Sequence, residues 1–217
     1  MVIKKYQIPK IFVIIGDSHV VSLTDSRYER IVSAKICRIM QRNHLFISLW
    51  FRDTLAFQVS KGESPKTAVR LARVFGLLGN IGAKFVFCFG EIDIRCHLAD
   101  PEKNTGFIKS YVLNCIKLVN SKSKNVIFLA PTPPSDFYMD HPSFPRRGNL
   151  IERVRAHNDY CGELEKNAIS NFSSYINSRT VLVDEQGGLR RELTEDGCHL
   201  NSEGAAIVRS IISNCLN

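Results

Sequence analysis

Five short apolar runs, rich in β-branched residues, recur along the chain and constrain its fold more than any other feature. They lie at 11–15, 45–50, 85–89, 126–130 and 181–183. Near-continuous runs of this length are typical of parallel strands covered on both faces. Helical periodicity separates them, at 65–78, 107–119, 153–175 and 202–216, with Ser202 as the predicted N-cap of the last helix. The alternation predicts a three-layer α/β/α domain with a five-stranded parallel sheet.

The composition fits one globular domain spanning residues 1–217. Hydrophobic residues make up 44% of the chain and charged residues 23%, and a chain of this length can bury most of its apolar surface. No apolar segment has the length of a membrane helix, so we expect no membrane span. No lipid-binding amphipathic segment is evident either, which argues against a membrane-bound lipase.

The net charge of +8 comes from 29 Lys and Arg residues against 21 Asp and Glu residues. This charge favours an anionic partner, such as a CoA-type donor or an acidic glycan, or it is a solvated basic surface. The interpretation as a nucleic-acid-binding α/β domain has no support other than this charge. The chain contains no nucleic-acid-binding motif, so we expect no nucleic-acid partner.

The N-terminus and the cysteines indicate the compartment. The apolar run at 11–15 follows three lysines but is stopped by Gly16-Asp17, with no small-residue cleavage site behind it. We interpret it as a buried strand and not as a signal peptide. The seven cysteines are scattered singly without a C-x-x-C pair, which is typical of reduced thiols. These features predict a cytoplasmic protein.

The first predicted strand ends in Gly16-Asp17-Ser18-His19. A glycine at the end of a strand allows a tight turn, which exposes the next side chains at the carboxyl edge of the sheet. A serine there can act as a nucleophile, and amides at the following helix N-terminus can stabilise an oxyanion. Gly-Asp-Ser is also ordinary turn chemistry, so this segment alone does not decide the matter.

A second segment, Asp196-Gly197-Cys198-His199, follows the last apolar run and precedes the C-terminal helix. Asp196 and His199 are three residues apart on a turn, so the Asp196 carboxylate can reach Nδ1 of His199 and leave Nε2 pointing outward. This is the base and orienting half of a catalytic triad. The alternative is an Asp-Gly turn beside a surface histidine, but the two segments together favour the triad.

Gly16-Asp17-Ser18 after an N-terminal strand, with Asp196-x-x-His199 before the last helix, resembles the SGNH (GDSL-type) hydrolase superfamily. The resemblance spans nearly the whole chain and implies a flavodoxin-like α/β/α fold. It also implies that Ser18 attacks an ester carbonyl, His199 transfers the proton and Asp196 orients the imidazole. In that family the oxyanion is held by the nucleophile's amide, a glycine in a second block and an asparagine in a third block, G-x-N-D.

The chain departs from this pattern at both further blocks. The third block is Gly90-Glu91-Ile92-Asp93, so Ile92 stands at the asparagine position. Loss of one such donor costs about a hundredfold or more in rate in other enzymes. The second block should lie within 52–62, where Gly62 is one candidate and Asp53 stands where glycine is usual.

We predict oxyanion or substrate-binding roles for Gly90, Glu91, Asp93, Arg95 and His19. Glu91, Asp93 and Arg95 recur at every second position, so in an extended segment they would share one face. Arg95 would then reach the oxyanion or an anionic substrate group while a carboxylate holds it. The alternative for Arg95 and its carboxylate is a structural ion pair. The alternative for His19 is that it only begins the helix.

The proline-rich segment 131–148 holds five of the eight prolines and follows the fourth predicted strand. Because ligands bind at the carboxyl ends of such strands, we interpret it as a lid or binding loop. Neither Cys96-His97 nor Cys198-His199 has the ligand spacing of a zinc site, so we expect no metal. Phosphate-binding glycine motifs are also absent, so we expect no cofactor.

The sequence therefore predicts a serine-dependent esterase or deacetylase that acts on a small or carbohydrate-linked ester through an acyl-enzyme. Two alternatives remain. One is a cytoplasmic O-acetyltransferase that modifies a glycan with the same triad, for which acyl-CoA would be the donor. The other is a non-catalytic binding module that keeps the fold, which Ile92 favours and the intact Ser18, Asp196 and His199 oppose.

Overall fold

The computed structural model describes residues 9–24, 34–51, 54–99, 105–137 and 144–215. Its strands are β1 (Lys10–Gly16), β2 (Ala34–Gln41), β3 (His44–Phe51), β4 (Lys84–Cys88), β5 (Val126–Leu129) and β6 (Ser174–Ile176). Its helices are α1 (His19–Ser22), α2 (Ala56–Ser60), α3 (Lys66–Gly76), α4 (Glu91–Asp93), α5 (Ile108–Val119), α6 (Leu150–Ser170), α7 (Arg179–Leu182) and α8 (Ser202–Asn214). A 3₁₀ turn, Leu77–Ile81, extends α3, and a π-helical turn, Ile94–Leu98, extends α4.

The strands form one six-stranded sheet in the order β2-β3-β1-β4-β5-β6. Strands β3, β1, β4, β5 and β6 are parallel, and β2 pairs antiparallel with β3. Alternate residues of β1 enter two separate cores: Val13 packs on the side of α2, α3, α5 and α6, and Phe12 on the side of α1, α7 and α8. This is the predicted α/β/α arrangement, with one strand more than the five expected.

The prediction was wrong at the two edges of the sheet. Strand β2 was not predicted, because it alternates between buried Cys37 and exposed Arg38 and forms no continuous apolar run. The run at 181–183 is not a strand: it overlaps α7, in which Leu182 is the buried residue. The last parallel strand is β6, which overlaps the end of the segment 153–175 predicted to be helical and has an exposed, polar start at Ser174. Edge strands have one open side, so continuous apolar runs do not mark them.

The predicted helices at 65–78, 107–119 and 202–216 correspond to α3, α5 and α8. The predicted cap of α8 was wrong by one residue. The side chain of Asn201 accepts hydrogen bonds from the amides of Glu203 and Gly204, at 3.1 and 3.0 Å, which makes Asn201 the N-cap. In the part of the chain that the structure describes, no helix is both long and apolar enough to cross a bilayer.

Candidate active site

Ser18 lies in the turn between β1 and α1, at the carboxyl edge of the sheet. Position 16 requires glycine. A Cβ there would clash with its neighbours, at 2.1 Å from the carbonyl oxygen of Cys88 and 2.4 Å from Cγ1 of Val20. Ser18 follows as the N-cap residue of α1. The strand–turn–helix prediction for this segment is confirmed.

The structure brings Ser18, His199 and Asp196 together. Nε2 of His199 lies 2.9 Å from Oγ of Ser18, and Nδ1 lies 2.7 Å from Oδ2 of Asp196. With the proton on Nδ1, the ring donates to Asp196 and accepts from the serine hydroxyl. The serine is partly buried and the His199 side chain is 23% exposed, so the three groups form one hydrogen-bonded chain that solvent and small molecules can reach.

The loop that carries His199 is held in place by hydrogen bonds. Oδ1 of Asp196 accepts from the amides of Cys198 and His199, at 2.8 and 2.7 Å. Burial opposes charge on this carboxylate, but these bonds and the His199 ring lower its pKa well below the ordinary value. Gly197 takes φ +76° in the turn, and its carbonyl accepts from Oγ of Ser135 at 2.6 Å. The carboxylate is therefore ionised and fixed against the ring.

The amide of Ser18 is a candidate oxyanion donor. Within the described residues, it has no hydrogen-bond acceptor, whereas the next amide, of His19, donates to Oδ1 of Asp17 at 3.0 Å. The side chain of Ile92, at the position of the family's asparagine, is apolar and buried. A developing oxyanion beside Ser18 would therefore be stabilised by fewer donors than the family pattern provides.

The segment after β4 is helical, which corrects the extended arrangement expected for Glu91, Asp93 and Arg95. Gly90 has φ +119° and turns the chain directly into α4. A Cβ on Gly90 would lie 2.5 Å from Cζ of Tyr160, so glycine is required there. On a helix, Glu91 and Arg95 face each other while Asp93 points elsewhere.

Glu91 joins Arg95 to His19. Its Oε1 accepts from Nε of Arg95 at 2.6 Å, and its Oε2 lies 3.1 Å from Nε2 of His19. Although all three side chains are buried, these partners hold the pKa of Glu91 at about 2. Arg95 also donates from Nη1 to the carbonyl of Phe144. The predicted carboxylate grip on Arg95 is thus present, but as part of a buried ion-pair network.

His19 is a buried neighbour of the base. Its Nδ1 lies 3.0 Å from Oγ1 of Thr132, and its ring stacks on that of His199 with centroids 4.8 Å apart. Burial opposes protonation of His19, but the nearby Cys198 and the carboxylates of Asp17 and Glu91 raise its pKa well above the ordinary value. His19 is the first residue of α1, as the helix-start alternative expected. Its side chain nevertheless lies in the site.

Asp93 stabilises the start of α2. Its Oδ2 accepts from the amide of Ala56 at 2.8 Å, and its Oδ1 from that of Phe57 at 3.1 Å. Burial raises its pKa to about 7. Gly62 follows the C-terminal end of the same helix, and its amide donates to the carbonyl of Val59 at 3.0 Å, which argues against it as the second-block donor. Asp53 lies outside the described residues.

A small cleft lies beside the His199 loop. It is lined by residues of four segments, Glu91, Ile94, Arg95, Thr132, Pro133, Pro134, Ser135, Arg153 and Gly197. Part of the proline-rich segment thus lies over the carboxyl edge as predicted, while residues 138–143 lie outside the described part. The sequence analysis did not identify Thr132 and Ser135 as site residues. Their position directly after β5 could have indicated them. It also missed Arg153 on α6, for which no sequence signal exists.

The side-chain donors of His19, Cys198 and His199 all lie within 4.8 Å of one another, close enough to share a metal ion. The ring nitrogens are already engaged, however. Those of His19 contact Thr132 and Glu91, and those of His199 contact Asp196 and Ser18. The cluster is therefore a hydrogen-bonded extension of the triad.

No protein-family model matches this chain, and no curated protein sequence does. Solved structures match it closely in fold. A GDSL-like lipase from Bacteroides thetaiotaomicron has a TM-score of 0.60 at 15% identity, with 95% of this chain and 87% of that chain covered. A carbohydrate acetylesterase from Sinorhizobium meliloti has a TM-score of 0.59 at 12% identity, covering 95% and 98%.

An aryl esterase from M. smegmatis has a TM-score of 0.52 at 13% identity, covering 93% of this chain and 99% of that chain. At such identities the likeness concerns the fold and not the substrate. It agrees with the mostly parallel sheet and the α/β/α arrangement. The chain has the fold of the SGNH, GDSL-type hydrolases.

Proposed function

We propose that this protein is a serine-dependent esterase that cleaves small or carbohydrate-linked acyl esters through an acyl-enzyme on Ser18. The observation that carries the proposal is the hydrogen-bonded chain Ser18–His199–Asp196, with distances of 2.9 and 2.7 Å. Nucleophile, base and orienting carboxylate stand in the order that acyl transfer requires.

In the first half-reaction, Oγ of Ser18 attacks the ester carbonyl carbon and its proton passes to Nε2 of His199. Asp196 stabilises the imidazolium through the bond from Nδ1. The carbonyl oxygen becomes an oxyanion, to which the Ser18 amide donates. When the tetrahedral intermediate collapses, the C–O bond to the alcohol breaks, and the alcohol takes the proton from Nε2.

In the second half-reaction, a water molecule replaces the alcohol. Nε2 of His199 removes a proton from the water as its oxygen attacks the acyl carbon. The bond between the acyl carbon and Oγ of Ser18 then breaks, Oγ takes the proton from Nε2, and the carboxylic acid leaves. Because Ile92 offers no donor where the family has asparagine, we expect a slow esterase unless another group donates to the oxyanion.

The substrate class rests on the small cleft that Gly197 of the His199 loop helps to line. Its polar lining, including Thr132, Ser135 and Arg153, suits a hydroxylated group better than a long acyl chain. Acetylated sugars, which pair a small acyl group with a hydroxylated one, are therefore the first substrates to test.

Transfer of the acyl group to a sugar hydroxyl, with acyl-CoA as donor, shares the first half-reaction and differs only in the acceptor. The binding-module alternative is favoured by one observation, the buried Ile92. Both alternatives can be separated from the esterase by experiment.

The experiment is labelling with a fluorophosphonate probe, measured by intact-protein mass. We expect one adduct on the wild type, none on Ser18→Ala, and slower labelling of His199→Ala. Ser202→Ala, which changes an exposed serine outside the site, is the matched control and should label like the wild type. A folded wild type that gains no adduct would favour the binding module.

A second measurement separates hydrolysis from transfer. The unlabelled wild type is assayed with an acetylated oligosaccharide in water, and then with acetyl-CoA and the free oligosaccharide. Acetate release in the first assay supports the esterase. Acetylated sugar formed in the second assay, without acetate release in the first, would identify a transferase.

A further inference from the structure

The outward face of α3 and of the 3₁₀ turn that follows it carries a stripe of exposed aliphatic side chains. Val74 is 63% exposed, Leu77 67% and Ile81 71%. Their spacing of three and four residues places them on one side of a continuous helical segment. Large aliphatic residues exposed to this extent, side by side, are typical of interaction sites.

This stripe is not needed for the core. The inward face of α3 is made of small residues, Ala68, Ala72 and Gly76, all buried. Gly76 packs so closely on α5 that a Cβ there would lie 2.1 Å from the carbonyl oxygen of Val119. The segment therefore docks through its small residues, with Phe75 and Leu78 also packed on the core, and of its large hydrophobic residues only Val74, Leu77 and Ile81 remain exposed.

The same face is basic. The segment 64–84 contains Lys66, Arg70, Arg73 and Lys84 and no acidic residue, and the first three are exposed. Basic residues flanking an apolar stripe on a helix are characteristic of segments that lie on a membrane surface.

A neighbouring loop adds further positive charge. Gly79 packs on Ser121, at the start of the segment 120–125, which contains Lys122 and Lys124 and no acidic residue. Nζ of Lys84 donates to the carbonyl of Lys124 at 3.2 Å. Burial and the positive charge of Lys124 lower the pKa of Lys84. Like charges are thus crowded together here, and an anion would relieve their repulsion.

Contrary to the expectation from the sequence that no lipid-binding segment is present, we propose that this α3 surface docks the protein on an anionic lipid bilayer. It comprises Lys66, Arg70, Arg73, Val74, Leu77, Ile81, Lys84, Lys122 and Lys124. The basic side chains would contact lipid phosphates and carboxylates while the aliphatic stripe enters the interface between headgroups and acyl chains. A stripe of three aliphatic residues suits a bilayer better than the polar backbone of a nucleic acid, which the charge alone would also attract.

The position of this surface leaves the candidate active site free. The turn Leu77–Ile81 and the segment 120–125 precede β4 and β5, so they lie at the amino edge of the sheet. Ser18 lies at the carboxyl edge. A docked molecule would therefore keep Ser18 accessible from the aqueous phase, and the proposal does not depend on the esterase.

The test is sedimentation of the full chain with vesicles of phosphatidylcholine alone or with phosphatidylserine added. We expect binding to the anionic vesicles only, and weaker binding as NaCl rises from about 0.1 to about 0.5 M. Arg70→Glu with Arg73→Glu should lower the partition coefficient at least about tenfold. Leu77→Ser with Ile81→Ser should lower it to a similar degree.

Arg155→Glu and Ile151→Ser are the matched controls, because both residues are exposed on α6 and outside the α3 surface. They should bind like the wild type, and circular dichroism should show all variants folded. Equal binding to neutral and anionic vesicles would overturn the proposal. So would unchanged binding by both α3 double variants, or binding to a DNA duplex without any binding to vesicles.

Discussion

The ring of His19 stacks on the ring of His199, with centroids 4.8 Å apart and planes inclined by 27°. His19 is itself fixed by Thr132 and Glu91 through its two ring nitrogens. It therefore offers a rigid flat surface against which the proposed base lies, so that the orientation of His199 depends on both Asp196 and His19.

We expect His19→Leu to slow fluorophosphonate labelling of Ser18 by about tenfold, because His199 loses part of its support. The unfolding free energy should also fall by about 1–3 kcal/mol, since buried Glu91 loses a hydrogen-bond partner. Labelling rates are measured on folded protein, and stability by urea unfolding.

His19→Phe keeps a flat ring but none of the hydrogen bonds, and it separates the two effects. We expect its stability to fall like that of His19→Leu, while its labelling rate stays nearer the wild type. Equal labelling of the two variants would show that stacking does not orient the base.

Replacing Ile92 with asparagine restores the side-chain donor of the family pattern. We expect Ile92→Asn to raise kcat for a small acetyl ester by about tenfold or more. Because the site is only 5% exposed, an amide there should also lower the unfolding free energy by about 1–3 kcal/mol. Ile92→Leu, which adds no donor, is the control. An unchanged kcat in folded Ile92→Asn would show that this side chain does not face the oxyanion.

Glu91 gives the stability a defined dependence on acid. Its folded-state pKa, about 2 against an ordinary 4.5, is lowered. The contribution of the ionised Glu91 to the free energy of unfolding is therefore complete above pH 4.5 and is lost as the pH falls through about 2. We expect Glu91→Gln to be less stable than the wild type at pH 7 and the difference to shrink below pH 4.5.

The measurement is urea unfolding of both proteins over that pH range, with Glu203→Gln, exposed at the start of α8, as the matched control. A stability difference that stayed constant from neutral to acid pH would contradict the role of the charged carboxylate.

Gly90 and Gly162 form a matched pair for testing the turn after β4. Gly90→Ala should destabilise the protein by about 3 kcal/mol or more, since φ is +119° and a Cβ would lie 2.5 Å from Tyr160. Gly162 is exposed within α6 and has no atom within 4 Å of its Cβ position. Gly162→Ala should therefore stabilise by up to about 1 kcal/mol. Thermal unfolding measures both changes, and a Gly90→Ala protein as stable as the wild type would contradict the packing.

The interior of the sheet could be predicted from the sequence because strands covered on both faces need continuous apolar runs. Strands β1, β3, β4 and β5 meet that condition. The edge strands β2 and β6 have one side open, and their polar residues hide them from the same criterion.

The site could be predicted where the chain itself limits the geometry. Asp196 and His199 share a short turn, and Ser18 follows a glycine that ends a strand. The arrangement of Glu91, Asp93 and Arg95 could not be predicted, because it depends on Gly90 turning the chain into a helix. Nor could the stacking of His19 on His199, which requires the docking of two distant segments.

The hydrogen bond between Ser18 and His199 joins residues 181 positions apart. During synthesis the serine leaves the ribosome long before its partner. A chain that is truncated or only partly folded contains Ser18 without His199 beside it. Under the proposed mechanism such a chain has a nucleophile without its base, so acylation can begin only once the last segment has docked.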